Sequence, residues 1–501
     1  MHQHPVRVTT TEGTVEGFTH GGVHRWRSIP YARPPVGPRR FRAPQPPDPW
    51  PGVRSCHEFS GCAPQERRFT LLGLGKYQPM GENCLSLNVV TPVGGDGEPL
   101  PVMVFIHGGG YMFGSSATPV YDGAALARRG CVYVSVNYRL GALGCIDLSS
   151  LSTPDIPIDS NLFLRDLVMA LQWLRENIAT FGGDPTNITL FGESAGAHAV
   201  VTMLSVPAAQ GLFTQVISQS PVIAFAQSPE VTAEFAARFA ELLGVRGQHA
   251  AHRLMRASPA ELVAAQGRMI NDAAQDIWSG SPLGPVFGDD ILPLAPLEAM
   301  RRGDSHRIPL IVGHNADEAR LFTRFLPLLP TTKPRIEALL AGVTPTDRQR
   351  IIAAYPDYPS PSACVRLGGD FAFGAAAWEI AEAHSRYAPT YLYRYDYAPK
   401  VLRWSGLGAT HATELLAVFD LYRTRPGLLL RAVADHRSAL RVSDHVQRRW
   451  QEFSRTGTPG PGWPPYTSRD RLVMVFDHRP RIEYDPHRAR RLAWEGFTTA
   501  R

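Results

Sequence analysis

Short apolar runs rich in β-branched residues punctuate this chain, and stretches with helical periodicity lie between them. Residues 102–106 (VMVFI), 131–137 (CVYVSVN), 188–191 (ITLF), 215–218 (QVIS), 309–313 (PLIVG), 390–395 (TYLYRY) and 471–476 (RLVMVF) read as strands, the last of them closing the chain. Residues 82–91 (ENCLSLNVVT) read as a further strand. Between strands, residues 166–181 set Leu167, Ala170, Leu171, Leu174 and Ile178 on one helical face, and Gly182-Gly183-Asp184-Pro185 stops that helix. A second helix is expected around residues 444–455. Strands alternating with helices predict a mostly parallel α/β sheet with its chemistry at the C-terminal ends of the strands. Residues 6–18 alternate apolar and polar side chains around Glu12-Gly13 and predict an edge hairpin. The proline-rich residues 28–53 predict an extended surface segment, in which Arg40 and Arg42 flank Phe41 and await an acidic partner such as Glu82. Residues 229–280 are alanine-rich with a helical pattern, carrying Glu234, Arg238 and Glu241 at polar positions, and predict an insertion or lid; residues 322–375 predict another. No repeat and no low-complexity linker divides the chain, so residues 1–501 are expected to form a single α/β domain.

Composition narrows the class. With 501 residues, 44% hydrophobic and 19% charged, the chain can bury a large core. Its net charge of +6 is the difference between 51 basic and 45 acidic residues that are scattered along the sequence, which argues against nucleic acid as a partner. The first residues lack the layout of a signal peptide, and nowhere do eighteen apolar residues follow one another. A cytoplasmic enzyme without a membrane span is the expectation. The six cysteines match no metal-site spacing, and Cys131 and Cys145 fall in apolar surroundings that suggest core positions.

The candidate chemistry centres on residues 191–200, FGESAGAHAV, where Ser194 stands between Gly192 and Gly196. A strand, a sharp turn and a helix in succession make a nucleophile elbow, which forces the serine into a strained conformation and leaves no room for side chains two residues away on either side. The strand at 102–106 runs into His107-Gly108-Gly109-Gly110-Tyr111, a glycine loop able to turn N–H groups toward an oxyanion. A serine hydroxyl needs a base, and the base needs an orienting carboxylate, in the chain order serine, acid, histidine. Among 17 histidines, His411 lies in a loop after the strand at 390–395, whereas His198 sits one turn past Ser194 and points away. Asp317 and Glu318 both follow the strand at 309–313, and spacing does not separate them. Tyr111, Met112 and Phe113 suggest a hydrophobic gorge, or else core.

The segments IPYARPPVGPRRFRAPQPPDPW, ENCLSLNVVTP, FIHGGGYMFG, VSVNYRLG, FGGDPTNITLFGESAG, ISQS, NADEARLF, GATHATEL and WQEFSRTGTP occur in an order that resembles the type B carboxylesterase family almost end to end. The resemblance implies an α/β-hydrolase fold with a helical lid and a serine carboxylesterase acting on small-molecule esters through an acyl-enzyme, with no metal or cofactor. It places the nucleophile on Ser194, the acid on Glu318 rather than Asp317, and the base on His411. The oxyanion donors fall on Gly109, Gly110 and Ala195, with Gly108 shaping the loop, and Ser220 matches a serine that supports the acid and base. Ion pairs Arg40–Glu82 and Arg139–Asp166 are implied as well. Cys62 and Cys84 match the family's first disulfide, although a cytosolic chain would keep them as thiols. A monomer is favoured. The family's usual N-x-G-L-x-D-Q reads Asn161-Leu162-Phe163-Leu164-Arg165-Asp166-Leu167 here, Asn83 replaces an acidic residue, and Ala319 and Ala412 follow Glu318 and His411. These departures bear on the substrate pocket. Residues 67–80 hold no equivalent of the tryptophan that receives choline in cholinesterases, so choline esters are not implied. The same triad could cleave amides or carbamates, and a non-catalytic binding relative is a further alternative; such relatives typically lose the serine or histidine, and both are present here.

Overall fold

A computed structural model describes residues 5–94, 97–222, 226–275, 281–325, 328–424 and 436–497. Its centre is a mixed sheet of thirteen strands. The main strands are β1 (Pro5–Thr10), β2 (Gly13–His20), β3 (Val23–Pro30), β4 (Ser86–Pro92), β5 (Leu100–Ile106), β6 (Val132–Val136), β7 (Gly183–Glu193), β8 (Gln215–Gln219), β9 (Leu310–Asn315), β10 (Thr390–Tyr395), β11 (Leu472–Phe476) and β12 (Arg481–Tyr484). They lie in the order β1-β2-β3-β4-β6-β5-β7-β8-β9-β10-β11-β12, and Val53–Ser55 pairs with Thr14–Glu16 of β2 off this path. From β6 to β11 every neighbouring pair is parallel, as the buried apolar runs predict. The first strands and the last pair are antiparallel. The predicted edge hairpin is β1–β2, whose register pairs Thr10 with Gly13.

Alternation along the strands splits the core in two. Val89, Val104, Val134, Leu190, Val216 and Val312 enter one apolar cluster, while their neighbours Val90, Phe105, Tyr133, Phe191, Ile217 and Ile311 enter the cluster on the opposite face. The first is covered by α1 (Leu162–Asn177) and α2 (Ala195–Met203), the second by the long helix α3 (His436–Thr456), which buries Val442, Val446, Trp450 and Phe453.

Three expectations need correction. The helix α1 starts at Leu162, four residues before the predicted start at Asp166, so that Asp166 lies inside the helix as a buried partner of Arg139. The segment at 28–53 is irregular as expected, yet it is not a surface strip: Tyr31 is fully buried and donates its hydroxyl to the Asn137 carbonyl at 2.6 Å, and Phe41 is buried between its two arginines. The chain also does not close with the strand after residue 471, since β12 and a helix at Arg488–Trp494 follow it.

Both implied ion pairs form. Arg139 and Asp166 have side-chain exposures of 2% and 0% and meet in a two-pronged contact at 2.6 and 2.8 Å, with Arg139 Nη1 also donating to the Arg42 carbonyl. Removing one partner would strand a buried charge, at a cost of about 3–5 kcal/mol. Arg40 grips Glu82 at 2.6 Å with two nitrogens, and its Nη1 donates to the carbonyls of Leu254, Met255 and Ala257 at the end of a helix in the first insertion. That helix, Ala250–Arg256, stands between Pro229–Leu242 and Pro259–Gln275; residues 276–280 of the predicted insertion lie outside the described residues. The second predicted insertion, 322–375, carries helices at Lys333–Leu339, Pro345–Ala353 and Pro361–Gly369, and its residues 326–327 are likewise outside the description. Cys62 and Cys84 are separate buried thiols. Among the described residues no helix is long and apolar enough to cross a membrane.

Candidate active site

β7 ends at Glu193 and α2 begins at Ala195, so one residue makes the whole turn between strand and helix. Ser194 makes it with φ 59° and ψ −124°, a conformation that non-glycine residues adopt only under constraint. The constraint is visible in its surroundings. The Ser194 N–H donates to the Gln219 carbonyl of β8, and the Ser194 carbonyl accepts the first helical bond from the His198 N–H, each at 2.9 Å. A Cβ on Gly196 would lie 2.0 Å from the Ile106 carbonyl oxygen, and one on Gly192 would lie 2.6 Å from the backbone of Gly196. Within residues 191–200 only Ser194 keeps partial solvent exposure.

The glycine loop after β5 passes directly against this turn. A Cβ on Gly108 would come within 3.0 Å of Ser194 Cβ, and Gly109 and Gly110 both hold positive φ, 109° and 60°. The Gly109 carbonyl accepts from Met112 and Phe113, which closes the loop on itself, and Ala195 lies buried at the start of α2. Of the three residues that follow, Tyr111 is core: it is fully buried, and its hydroxyl lies 2.9 Å from His198 Nδ1. Phe113 is only partly buried and stacks flat on Phe69 with ring centroids 3.9 Å apart. Phe163, which replaces the usual glycine, is also core, packed on Tyr111 and Tyr138 beneath the loop.

Glu318 follows β9, and His411 lies in the loop after β10. His411 Nδ1 stands 2.7 Å from Glu318 Oε2, and Glu318 Oε1 accepts the Ser220 hydroxyl and the Asn315 N–H, each at 2.6 Å. Asp317 turns elsewhere, accepting the Ala409 N–H and pairing with Arg320. The alternative that spacing left open is thus separated by geometry. Ser220 holds its hydroxyl in place with a φ of 57°. Phe322 and Phe373, both from the second insertion, pack on the His411 ring at 5.2 and 4.5 Å.

The other imidazole nitrogen has a neighbour that sequence reasoning missed. His411 Nε2 lies 3.1 Å from Oε1 of Glu193, the residue just before Ser194, and no hydrogen bond joins Ser194 Oγ to the ring among the described residues. Behind Glu193 sits a second buried acid, Glu414, which accepts from Asn315 Nδ2 and Gln219 Nε2. Gln219 in turn accepts from Trp450 Nε1. Burial pushes the carboxyls of Glu193 and Glu414 up; Glu414 and Glu318 add to the effect at Glu193, and Glu318 at Glu414, against the pull of His411. For His411 burial opposes the charged ring, but Glu193 and Glu318 outweigh it and push the imidazole up to about 9. The one local signal for Glu193 was a charged residue two positions past the apolar run Ile188–Phe191. His107 and His198 behave oppositely: burial alone drives them down, to about 4 and about 3, so both are neutral fixtures of the core. Among the described residues no cluster of three His, Cys, Asp or Glu side chains could hold a metal ion.

A hydroxyl on a strained turn, a ring with a carboxylate on its far nitrogen and a glycine loop against the turn are the parts of an acyl-transfer site. Comparison with known proteins agrees with that class. The model of the carboxylesterase family matches residues 4–340 and 356–494. The para-nitrobenzyl esterase of Bacillus subtilis (strain 168) is 35% identical over 495 residues, spanning 97% of each chain. The fumonisin B1 esterase of Sphingopyxis macrogoltabida is 33% identical, over 93% of this chain and 85% of its own. Solved structures of a PNB esterase and a thermophilic PNB esterase share the fold with TM-scores of 0.87 and 0.86, at 34% and 33% identity, over 97% of this chain and 99% of theirs. On the extent of these matches and on its mostly parallel sheet, the chain is an α/β-hydrolase and belongs to the carboxylesterase family.

Proposed function

We propose that this enzyme hydrolyses uncharged carboxylic esters through an acyl-enzyme on Ser194, with His411 as general base and Glu318 as its orienting acid. The observation that carries the reading is the chain of contacts Ser220–Glu318–His411 at 2.6 and 2.7 Å beside the strained turn of Ser194. As Ser194 Oγ attacks the ester carbonyl, His411 Nε2 takes its proton and the imidazolium is held by Glu318. The transfer requires Oγ within hydrogen-bond reach of Nε2, and such contacts are often loose before substrate binds. The carbonyl oxygen, now negative, is received by the N–H groups of Gly109, Gly110 and Ala195, the last at the positive end of α2. His411 then protonates the departing alcohol, and a water molecule repeats the sequence to release the acid.

The helices of residues 229–275 and the second insertion, which brings Phe322 and Phe373 to the imidazole, are proposed to form the lid and to set which esters enter. The half-buried Phe113–Phe69 stack beside the glycine loop supports an apolar alcohol or acyl group. A fluorophosphonate probe is expected to label the wild-type protein on Ser194 and to leave Ser194→Ala unlabelled. Hydrolysis of para-nitrophenyl esters by Ser194→Ala at the wild-type rate would refute the assignment.

A further inference from the structure

A cavity of about 210 Å³ lies on the antiparallel side of the sheet, and none of Ser194, Glu318 and His411 lines it. Register explains its floor. Arg25 stands opposite Val90, Val90 opposite Tyr133 and Asn88 opposite Ser135, so the side chains of Arg25, Asn88 and Ser135 share one face, while Trp26, Val89 and Val134 turn into the opposite core; Arg27, in the irregular stretch between Trp26 and Ile29, lines the same cavity. Phe59, Leu72 and Tyr121 form the walls, and the partly exposed Leu72 and the exposed Asp122 mark the way to solvent.

Most polar groups here are already satisfied. Asn88 donates to Ser116 and Ser135, Tyr133 donates to the Tyr121 carbonyl, and Arg25 is paired with Asp122 through two contacts at 3.1 and 3.2 Å. Arg27 differs in having no carboxylate partner, although the Arg25 Nε–H is also buried without an acceptor. The Arg27 guanidinium lies over Phe59 at 4.3 Å and Phe18 at 4.9 Å, and its Nη1 donates to the His57 carbonyl, but its Nε–H is buried without an acceptor. Among the described residues it has no carboxylate at ion-pair distance. Burial, then the neighbouring charge of Arg25, pulls its pKa down, against the more distant pull of Glu58 and Asp122. The cavity therefore holds a guanidinium without a direct ion-pair partner between aromatic and aliphatic walls.

We infer that this cavity binds a small monocarboxylate, its charge on the Arg27 guanidinium and its apolar body between Phe59, Leu72 and Tyr121. Size agrees, since a cavity of roughly 150 Å³ accommodates benzene. A single guanidinium without a direct carboxylate contact and mostly apolar walls select a monoanion with a hydrocarbon body over phosphate or a polyanion. The assignment does not depend on the chemistry at Ser194.

The test is calorimetric titration of benzoate into the full-length protein, with and without prior fluorophosphonate treatment, and into Arg27→Gln and Leu72→Glu. Benzoate is expected to bind one site in both treated and untreated wild type, with benzamide binding at least about tenfold more weakly because it lacks the charge. Arg27→Gln is expected to lose at least about tenfold in affinity for the same reason. Leu72→Glu, at the partly exposed rim, is expected to lose as much by presenting the arginine with a tethered carboxylate, and it stands as the test should Arg27→Gln fold poorly by thermal melting. Absence of binding, binding abolished by the fluorophosphonate, or equal affinity in wild type and a folded variant would each overturn the proposal.

Discussion

The two nitrogens of the His411 ring face carboxylates of opposite character. On the Nδ1 side Glu318 is met by donors at both oxygens: the imidazole on one, the Ser220 hydroxyl and the Asn315 N–H on the other, all within 2.7 Å. On the Nε2 side Oε1 of Glu193 is buried with no aligned donor, and Glu414 behind it adds like charge. The first arrangement holds an anion by hydrogen bonds that strengthen as the ring becomes charged. The second raises the affinity of the carboxyl for a proton, because nothing but His411 offsets its burial. A single imidazole is thereby anchored on one face and electrostatically tuned on the other, and the lesson is that distance to the ring alone does not assign a carboxylate its role.

The comparison can be broken most severely by removing the ring itself. His411→Ala is expected to lower kcat for para-nitrophenyl esters by about 10⁴–10⁶-fold, with labelling of Ser194 by fluorophosphonate slowed in parallel. Glu318→Gln, which removes the anchoring charge and favours the wrong tautomer, is expected to lower kcat by about 10⁴-fold with little change in KM. Loss of the Glu318 donor in Ser220→Ala removes one hydrogen bond to a charged group and is expected to lower kcat about tenfold, with the melting temperature close to wild type. Glu193→Gln should have the smallest effect on maximal kcat and the clearest on pH. With one negative charge fewer beside Nε2, the imidazolium is less stable, the ring loses its proton at lower pH, and the acid limb of kcat/KM moves down by about one pH unit. An acid limb that stays in place or moves up would show that Glu193 does not tune the ring. In the wild type the same limb should lie above that of a free imidazole, since the carboxylates push His411 up to about 9.

The parts of the site that are local were legible without coordinates. The elbow around Ser194 and the loop at Gly108–Gly110 declare themselves because a backbone forced into close approach tolerates only glycine at defined positions, and these are contiguous in sequence. The strands were legible for a similar reason: a parallel strand buried on both faces is apolar throughout, so its run of residues needs no partner to be recognised. The choice between Asp317 and Glu318 was not open to spacing. It was made by resemblance, and the contact of Glu318 with His411 agrees with it. Glu193 and Glu414 escaped notice as partners of His411 because each sits inside a motif quoted for another residue, and their shared burial arises only when β7 and the loop after β10 meet. Tyr31 was misplaced on the surface since its prolines speak for the shape of the segment and say nothing of what lies beneath it.

What the amino-acid order determined by itself was therefore the alternation of strands and helices, the strained serine turn and the glycine loop, all set by constraints that act within a few residues. Only the tertiary structure decided which histidine nitrogen meets which acid, that Tyr111 and Phe163 are core while Phe113 stays half-exposed, and that Arg27 is left without a direct ion-pair partner. Those outcomes depend on distances between side chains far apart in the chain, and burial, which sets the strength of every charge involved, is a property of the packed whole.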